Sequence, residues 1–248
     1  MKKKWLVLGL AAIMSFGCLA ACGDNDDKGG DNGDGVGSEV IKGEQVTAEQ
    51  WASACDNIDF RYVVEEWWEK ELSLDGEVEE YWEKYIYYEN YNYGYEKELE
   101  VDGEGFYEDW KVEQGNKTYR YEKWTENYEN TGEDSGVRPW RVVHEDTEFV
   151  GDVYLYYDSE DFQEDWVEYD ITEFTFDEEK GVYYKTSDEE ERIEMLFLGG
   201  KLYSITVFYT DADEDCSYEG YWVTTFKKEE IPALPDKAAL DALIAQNG

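Results

Sequence analysis

From Phe60 to Leu74 apolar and charged side chains alternate. Phe60, Tyr62, Val64, Trp68, Leu72 and Leu74 hold even positions, while most odd positions are charged or small. Successive side chains of an extended chain point to opposite faces, so this period of two describes a strand with one face on a core. Val63, Val64, Trp67 and Trp68 would also fit one face of a helix. An internal echo supports the strand reading: Glu65-Glu66-Trp67-Trp68-Glu69-Lys70 returns as Glu79-Glu80-Tyr81-Trp82-Glu83-Lys84, with Asp75-Gly76 between the copies. A second echo sets Glu71-Leu72-Ser73-Leu74-Asp75-Gly76-Glu77 against Glu98-Leu99-Glu100-Val101-Asp102-Gly103-Glu104. Asp-Gly between alternating runs signals a hairpin, because both residues accept positive φ. The pattern predicts a meander of antiparallel strands to about Trp124, and two imperfect echoes are too few for a solenoid.

What fills the core of such a sheet is a question of composition. Leu, Ile, Val and Phe make up roughly 19% of the chain after Cys22, a level that with high net charge signals disorder. Against this stand 22 Tyr and 10 Trp in 248 residues. Disordered chains are poor in aromatics, and each buried ring removes far more surface from water than an aliphatic side chain. The expected core is therefore built mainly from Tyr and Trp. The chain carries 62 acidic against 22 basic side chains, a formal charge of -40. Phosphate backbones are bound by clustered Lys and Arg, so nucleic acid is excluded as a partner. The single histidine, His144, leaves no second His for a metal site and only one candidate base of that type.

Flanking signals place the remaining elements. Thr47 and Gln50 have the spacing of a capping box and predict a short helix from about Ala48 to Cys55. Glu126 to Arg138 is polar and reads as a loop or a sheet-edge crossing, and Val150 to Tyr157 as another strand. Behind Ser159, Phe162, Trp166 and Tyr169 share one helical face with acids in the first turn, predicting a helix over Glu160 to Tyr169. Strands are expected at Phe174-Thr175-Phe176, Val182 to Lys185, Ile193 to Leu198, Tyr203 to Tyr209 and Tyr221 to Phe226. Ile231-Pro232-Ala233-Leu234-Pro235 stops the sheet, and Asp236 to Gln246 forms a closing helix. The fold class is thus α+β and mostly β: a curved antiparallel meander, a half-barrel, with a short N-terminal helix, an internal covering helix and a C-terminal helix.

The N-terminus carries an address. Lys2, Lys3 and Lys4 precede an apolar run from Trp5 to Ala21, the charged and hydrophobic regions of a secretory signal. The run ends in Leu19-Ala20-Ala21-Cys22, which resembles the bacterial lipobox. The resemblance implies cleavage of residues 1–21 as a signal peptide, diacylglycerol and palmitate on Cys22, and anchorage to the cell membrane on its extracellular face, or in the outer membrane or periplasm of a Gram-negative envelope. Losing the three lysines lowers the formal charge of -40 by three, to -43. Residues 22–43 are Gly- and Asp-rich and read as a flexible tether, spanning about 25 Å as a coil and at most about 70 Å extended. Residues 44–235 then form the half-barrel and 236–248 the C-terminal helix. Export permits a disulfide between Cys55 and Cys216, and buried free thiols are the alternative.

The order helix, meander, covering helix, further strands resembles the curved half-barrel of the outer-membrane lipoprotein carrier (LolA-like) superfamily over about Val46 to Pro235. That resemblance implies an acyl-binding face, lined here by inward strand positions such as Tyr62, Val64, Trp82 and Ile86 with Phe162 and Trp166 from the covering helix. The expected function is non-enzymatic: a monomeric, lipid-anchored envelope protein that binds or shields a hydrophobic or amphiphilic ligand. A competing class is a carbohydrate-binding surface module, with Trp67, Trp82, Trp110, Trp124 and Trp140 as stacking candidates. A third is a structural or interaction domain without a small ligand.

Catalytic signals are weak. Carboxylate pairs that could hydrolyse glycosides occur everywhere by chance among 62 acids. No G-x-S-x-G is present, and neither Cys55 nor Cys216 has a neighbouring His in sequence. Asp211, Asp213 and Asp215 take the first, third and fifth places of a calcium loop, a weak site, since Cys216 stands where Gly is needed and Trp222 where Glu is needed. No other cofactor is expected.

Overall fold

The computed structural model describes residues 41–74, 76–100, 103–125, 135–143, 157–187, 191–212 and 216–247. The signal peptide, Cys22 and most of the tether lie outside them, as do His144 and all but Tyr157 of the strand expected at Val150 to Tyr157. Among the described residues eleven strands form one antiparallel sheet. They are β1 (Tyr62–Ser73), β2 (Val78–Tyr88), β3 (Tyr91–Glu100), β4 (Gly103–Gln114), β5 (Lys117–Trp124), β6 (Gly136–Val143), β7 (Thr175–Asp177), β8 (Val182–Ser187), β9 (Glu191–Leu198), β10 (Lys201–Ala212) and β11 (Cys216–Thr225). The helices are α1 (Ala48–Ala52), α2 (Ser159–Trp166) and α3 (Lys237–Asn247). This is the expected curved α+β meander, an open sheet with three helices.

The chain enters the sheet at its middle. From β1 it steps outward strand by strand to β6 at one edge, crosses to β7 at the other, and steps back inward until β11 pairs with β1. The join runs from Val64 opposite Thr225 to Ser73 opposite Cys216. Local alternation cannot reveal this pairing, because it links residues far apart in sequence, yet it makes one sheet out of two meanders. Trp68 stands opposite both Trp82 and Tyr221, so the rings line up across three strands.

Three local expectations change. The sheet continues past Trp124: β6 occupies part of the stretch expected to be a loop or crossing. Its Pro139 lacks an N–H, which an edge strand tolerates, and it falls in the irregularity where Arg141 and Arg138 face Arg120 and Glu122. The N-terminal helix ends at Ala52, and Cys55–Asn57 is a separate 3-10 turn. Its capping box is as read, with Gln50 N donating to Thr47 Oγ1 at 3.2 Å and Thr47 N to Gln50 Oε1 at 2.8 Å. Helix α2 ends at Trp166 and is capped by Asp158, one residue before the expected Ser159; the carboxylate accepts from Glu160 N and Asp161 N at 3.0 and 3.2 Å.

Two aromatic cores lie on opposite faces of the sheet. On one face Val64, Ile86, Tyr93 and Trp110 follow one another across β1 to β4 and are closed by α3, whose Leu240 is 2% exposed. Trp140 of β6 donates its indole N–H to Pro235 O at 2.6 Å, tying down the segment that leads into α3. On the other face Tyr183, Met195, Phe197 and Ile205 of β8 to β10 pack with Trp51 of α1, Trp166 of α2 and Phe174. Trp51 sits 5.1–5.5 Å, ring centre to ring centre, from Trp166, Phe174, Tyr183 and Phe197. Both indoles keep a partner for the N–H, as buried Trp requires: Trp51 donates to Tyr169 O and Trp166 to Trp51 O.

Candidate binding cleft

The offset of the two cores creates a cleft. Helices α1 and α2 cover one face only over the β7 to β11 half, while α3 covers the opposite face over the β1 to β6 half. The first face therefore stays open over β1 to β5, with Tyr157 and α2 along one side, and encloses a cavity of about 760 Å³.

Its floor is three rungs of cross-strand neighbours. Tyr87, Asn92, Lys111 and Arg120 form one, Tyr85, Gly94, Asp109 and Glu122 the next with Glu65 beside them, and Trp67, Glu83, Glu96 and Tyr107 the third. They are the odd positions of β1, β2 and β4 and the even positions of β3 and β5, the set opposite to the α3 core. Gly94 at the centre keeps the floor low: a Cβ there would stand 3.0 Å from Cε1 of the Tyr85 ring. From α2 come Asp158, Asp161, Phe162 and Asp165, and Trp222, opposite Trp67 across β1 and β11, stands at the rim 53% exposed.

One end of the floor is electrostatically closed. Arg120 donates to Asp109 Oδ2 through Nε at 2.9 Å and Nη2 at 2.6 Å, and to Tyr107 Oη at 2.9 Å. Tyr107 donates on to Glu122 at 2.6 Å, and Arg141 closes the network on Glu122. Lys111 Nζ lies 3.5 Å from Asp109, and burial holds its ammonium below the usual range despite that neighbour.

The other end is a group of carboxyls. Glu83 stands opposite Glu96 across β2 and β3; burial first, then the charges of Glu96 and Glu98, push it up to about 7. Burial also raises Glu65, outweighing hydrogen bonds from Tyr87, Trp222 and Thr224. Tyr85 donates to Glu96 at 3.1 Å and Tyr87 to Glu65 at 3.2 Å. On the rung of Lys111 and Arg120, Asn92 is 1% exposed and neither its Oδ1 nor its Nδ2 has a hydrogen-bond partner; Asp109, 3% exposed, has none at its Oδ1. Buried polar groups are almost always paired, so these orphaned atoms mark a place where a ligand or water completes the bonding.

The residues expected to line a pocket are not brought together. Phe162 does line the cleft. Trp166 is buried in the α1–α2 core. Val64 and Ile86 belong to the α3 core on the opposite face, Trp82 packs edge-on to Tyr95 at 5.8 Å, and Tyr62 donates to Glu89 at 2.7 Å. The reason is that β1 and β2 have occupied space on both faces, so their even set found by alternation is the core and their odd set is the floor. Of the five candidate stacking rings, Trp67 lines the cleft; Trp110, Trp124 and Trp140 are buried, and Trp82 lies on the other face. The signal that could have found the floor is Gly94, an isolated glycine inside an alternating run.

Cys55 and Cys216 are not joined in a disulfide. The turn holding Cys55 packs on β10 beside Leu202, whereas Cys216 lies eight residues before Thr224, the partner of Ile205. That is roughly 26 Å of strand, far beyond disulfide reach. Burial, then Asp56, pushes the Cys55 thiol up to about 11, while Cys216 Sγ lies 2.8 Å from Glu71 Oε1. Asp211 accepts from Ala212 N at 2.7 Å; Asp213 and Asp215 lie outside the described residues.

No protein-family model, curated protein or solved structure matches this chain.

Proposed function

We propose that this chain is an exported, lipid-anchored binding protein whose cleft holds a carbohydrate. The observation that carries the reading is Asn92, an amide buried with both polar atoms unpaired in a cavity walled by rings. An amide offers a donor and an acceptor together, which suits a pair of sugar hydroxyls. Trp67 and Trp222, side by side at the rim, supply flat apolar faces for the C–H side of a pyranose. An acyl chain is less well served. Among the described residues none of Leu, Ile, Val or Met lines the cleft, and eight acidic residues do, which would repel a fatty-acid carboxylate. Binding without turnover is the proposed role, and the lipobox at Cys22 supplies the anchor.

The test is quenching of tryptophan fluorescence by a panel of neutral oligosaccharides beside fatty acids and lysophospholipids. Saturable quenching by an oligosaccharide, weakened at least about tenfold in Trp222→Ala and in Asn92→Ala, is the expected result. Saturation by the lipids alone overturns the reading. For the anchor, Cys22→Ser should release the protein from the membrane fraction, and unchanged retention refutes it.

A further inference from the structure

One buried cation of the cleft is poorly compensated. Lys111 is 5% exposed and lines the cavity, and among the described residues Asp109 is its one ion-pair partner, at 3.5 Å. The oxygen concerned, Asp109 Oδ2, already accepts from Arg120 Nη2 at 2.6 Å and Nε at 2.9 Å, so Lys111 is a third and distant donor to it. Arg120 also stands directly opposite Lys111 across β4 and β5, where like charges repel. An ammonium here would hold three donors in a desolvated place with one long contact, beside a guanidinium. Such surroundings activate a lysine as the neutral amine. Directly opposite Lys111 on β3 is Asn92, with Oδ1 and Nδ2 both unpartnered, and one rung along β4 is the unpartnered Asp109 Oδ1. An amine, an open amide and an open carboxylate oxygen are therefore neighbours on one face of two paired strands, within side-chain reach of one another.

We infer that Lys111 captures a carbonyl compound: it binds a small α-hydroxyaldehyde covalently, as a Schiff base on Nζ, with the Asn92 amide and Asp109 Oδ1 completing the site. This goes beyond the carbohydrate reading and does not depend on it. Nζ attacks the carbonyl carbon as the neutral amine, the form that its burial favours. The C=O π electrons move onto oxygen, which takes one amine proton through Asp109 and gives a carbinolamine. The second amine proton follows the same route. As the C=N bond forms, the oxygen departs with both protons as one water. Nothing is oxidised or reduced, and hydrolysis reverses the step, so the capture is binding without turnover. Asn92 Nδ2 donates to the carbonyl oxygen while Asn92 Oδ1 accepts from the hydroxyl on the next carbon. The donor and acceptor of one amide lie side by side, as do the two oxygens of an α-hydroxyaldehyde.

The experiment is reductive trapping of the whole protein with glycolaldehyde and cyanoborohydride at neutral pH. The reductant fixes the imine as a secondary amine, and peptide mass spectrometry reads the rate at each lysine. Lys111 should be labelled at least about tenfold faster than Lys97 and Lys123, which belong to the other face of the sheet, a modest share of what a positioned acid–base group supplies. The preference should vanish in urea, where Lys111 is an ordinary lysine. Asn92→Ala should slow Lys111 at least about tenfold and leave Lys123 unchanged, since the carbonyl oxygen loses its donor. Acetaldehyde, which lacks the hydroxyl, repeats that test on the wild-type protein and should lower the ratio of the Lys111 rate to the Lys123 rate. Labelling of Lys111 no faster than Lys97 and Lys123 in the folded protein overturns the inference and leaves Lys111 a structural partner of Asp109. A preference that survives urea overturns it as well. A ratio that neither acetaldehyde nor Asn92→Ala lowers overturns the assignment of an α-hydroxyaldehyde. Failure of every oligosaccharide to quench fluorescence bears on the carbohydrate reading alone.

Discussion

Glu83 sets a pH dependence that a single isosteric change should remove. Around it stand Glu96 and Glu98 of β3, Glu65 and Glu69 flanking Trp67 on β1, Asp109 and Lys111 of β4, Arg120 of β5, and Asp158, Asp161 and Asp165 beside α2. Its carboxyl is pushed from the ordinary 4.5 up to about 7, chiefly by burial and then by Glu96 and Glu98. Between those two values the unfolded chain has released the proton and the folded chain still holds it. Stability from this group is therefore fully present below about pH 4.5, falls as pH rises toward 7, and is gone above that. A gap of about 2.5 pH units corresponds to ~3.4 kcal/mol at ~1.36 kcal/mol each. Glu83 is only partly buried, so solvent screening reduces the usable figure to about 1–2 kcal/mol. Glu83→Gln cannot ionise and should escape the loss. Urea unfolding followed by tryptophan fluorescence should find wild type and variant close together at about pH 4.5, with the variant ahead by about 1–2 kcal/mol at about pH 8.5. In a chain of this size that is about 2–8 °C in Tm. Other carboxylates titrate in both proteins and cancel in the difference. Curves that stay parallel across this range, or a variant less stable at the alkaline end, would refute the reasoning.

Further expectations concern packing and charge. Trp51→Ala removes the ring around which Trp166, Phe174, Tyr183 and Phe197 are arranged and should cost about 3–5 kcal/mol in urea unfolding; a loss under about 1 kcal/mol would show that the α1 core is not a main support. Gly220→Ala places a Cβ 2.5 Å from the Tyr209 ring and 2.7 Å from the backbone oxygen of Trp68, so a destabilisation of about 1–3 kcal/mol is expected, and a neutral result would mean that β11 shifts freely. With a charge near -40 in one folded body, Tm should climb between ~10 mM and ~300 mM NaCl as self-repulsion is screened; a flat profile removes that argument.

Much of the fold was legible in the sequence because its signals are local. The Thr47–Gln50 capping box needs only a spacing of three, and the hairpin at Asp75-Gly76 only a turn between alternating runs. The face holding Val64 and Ile86 follows from period two, which is a property of the extended backbone. Chemistry of this kind also separates a Tyr- and Trp-built core from disorder, since ring area compensates for missing aliphatics. The edge strand β6 escaped because the chain up to Arg138 is polar, and whether such a segment joins the sheet as its edge depends on the distant strand beside it.

What the sequence by itself determined is therefore the set of elements, their faces and the materials of the core. Only the tertiary structure decided which face a helix covers. Alternation divides β1 and β2 into two sets of side chains but assigns neither set to solvent, and here α3 closes the even set while α2 flanks the odd one. The cleft arises from that long-range choice, together with the pairing of β11 to β1 that brings Trp222 beside Trp67. So does the unusual state of Glu83 and Asn92. In sequence they are one of many acids and an ordinary amide, and it is their burial between particular neighbours that raises the proton affinity of the first and leaves the second with its bonds unmade.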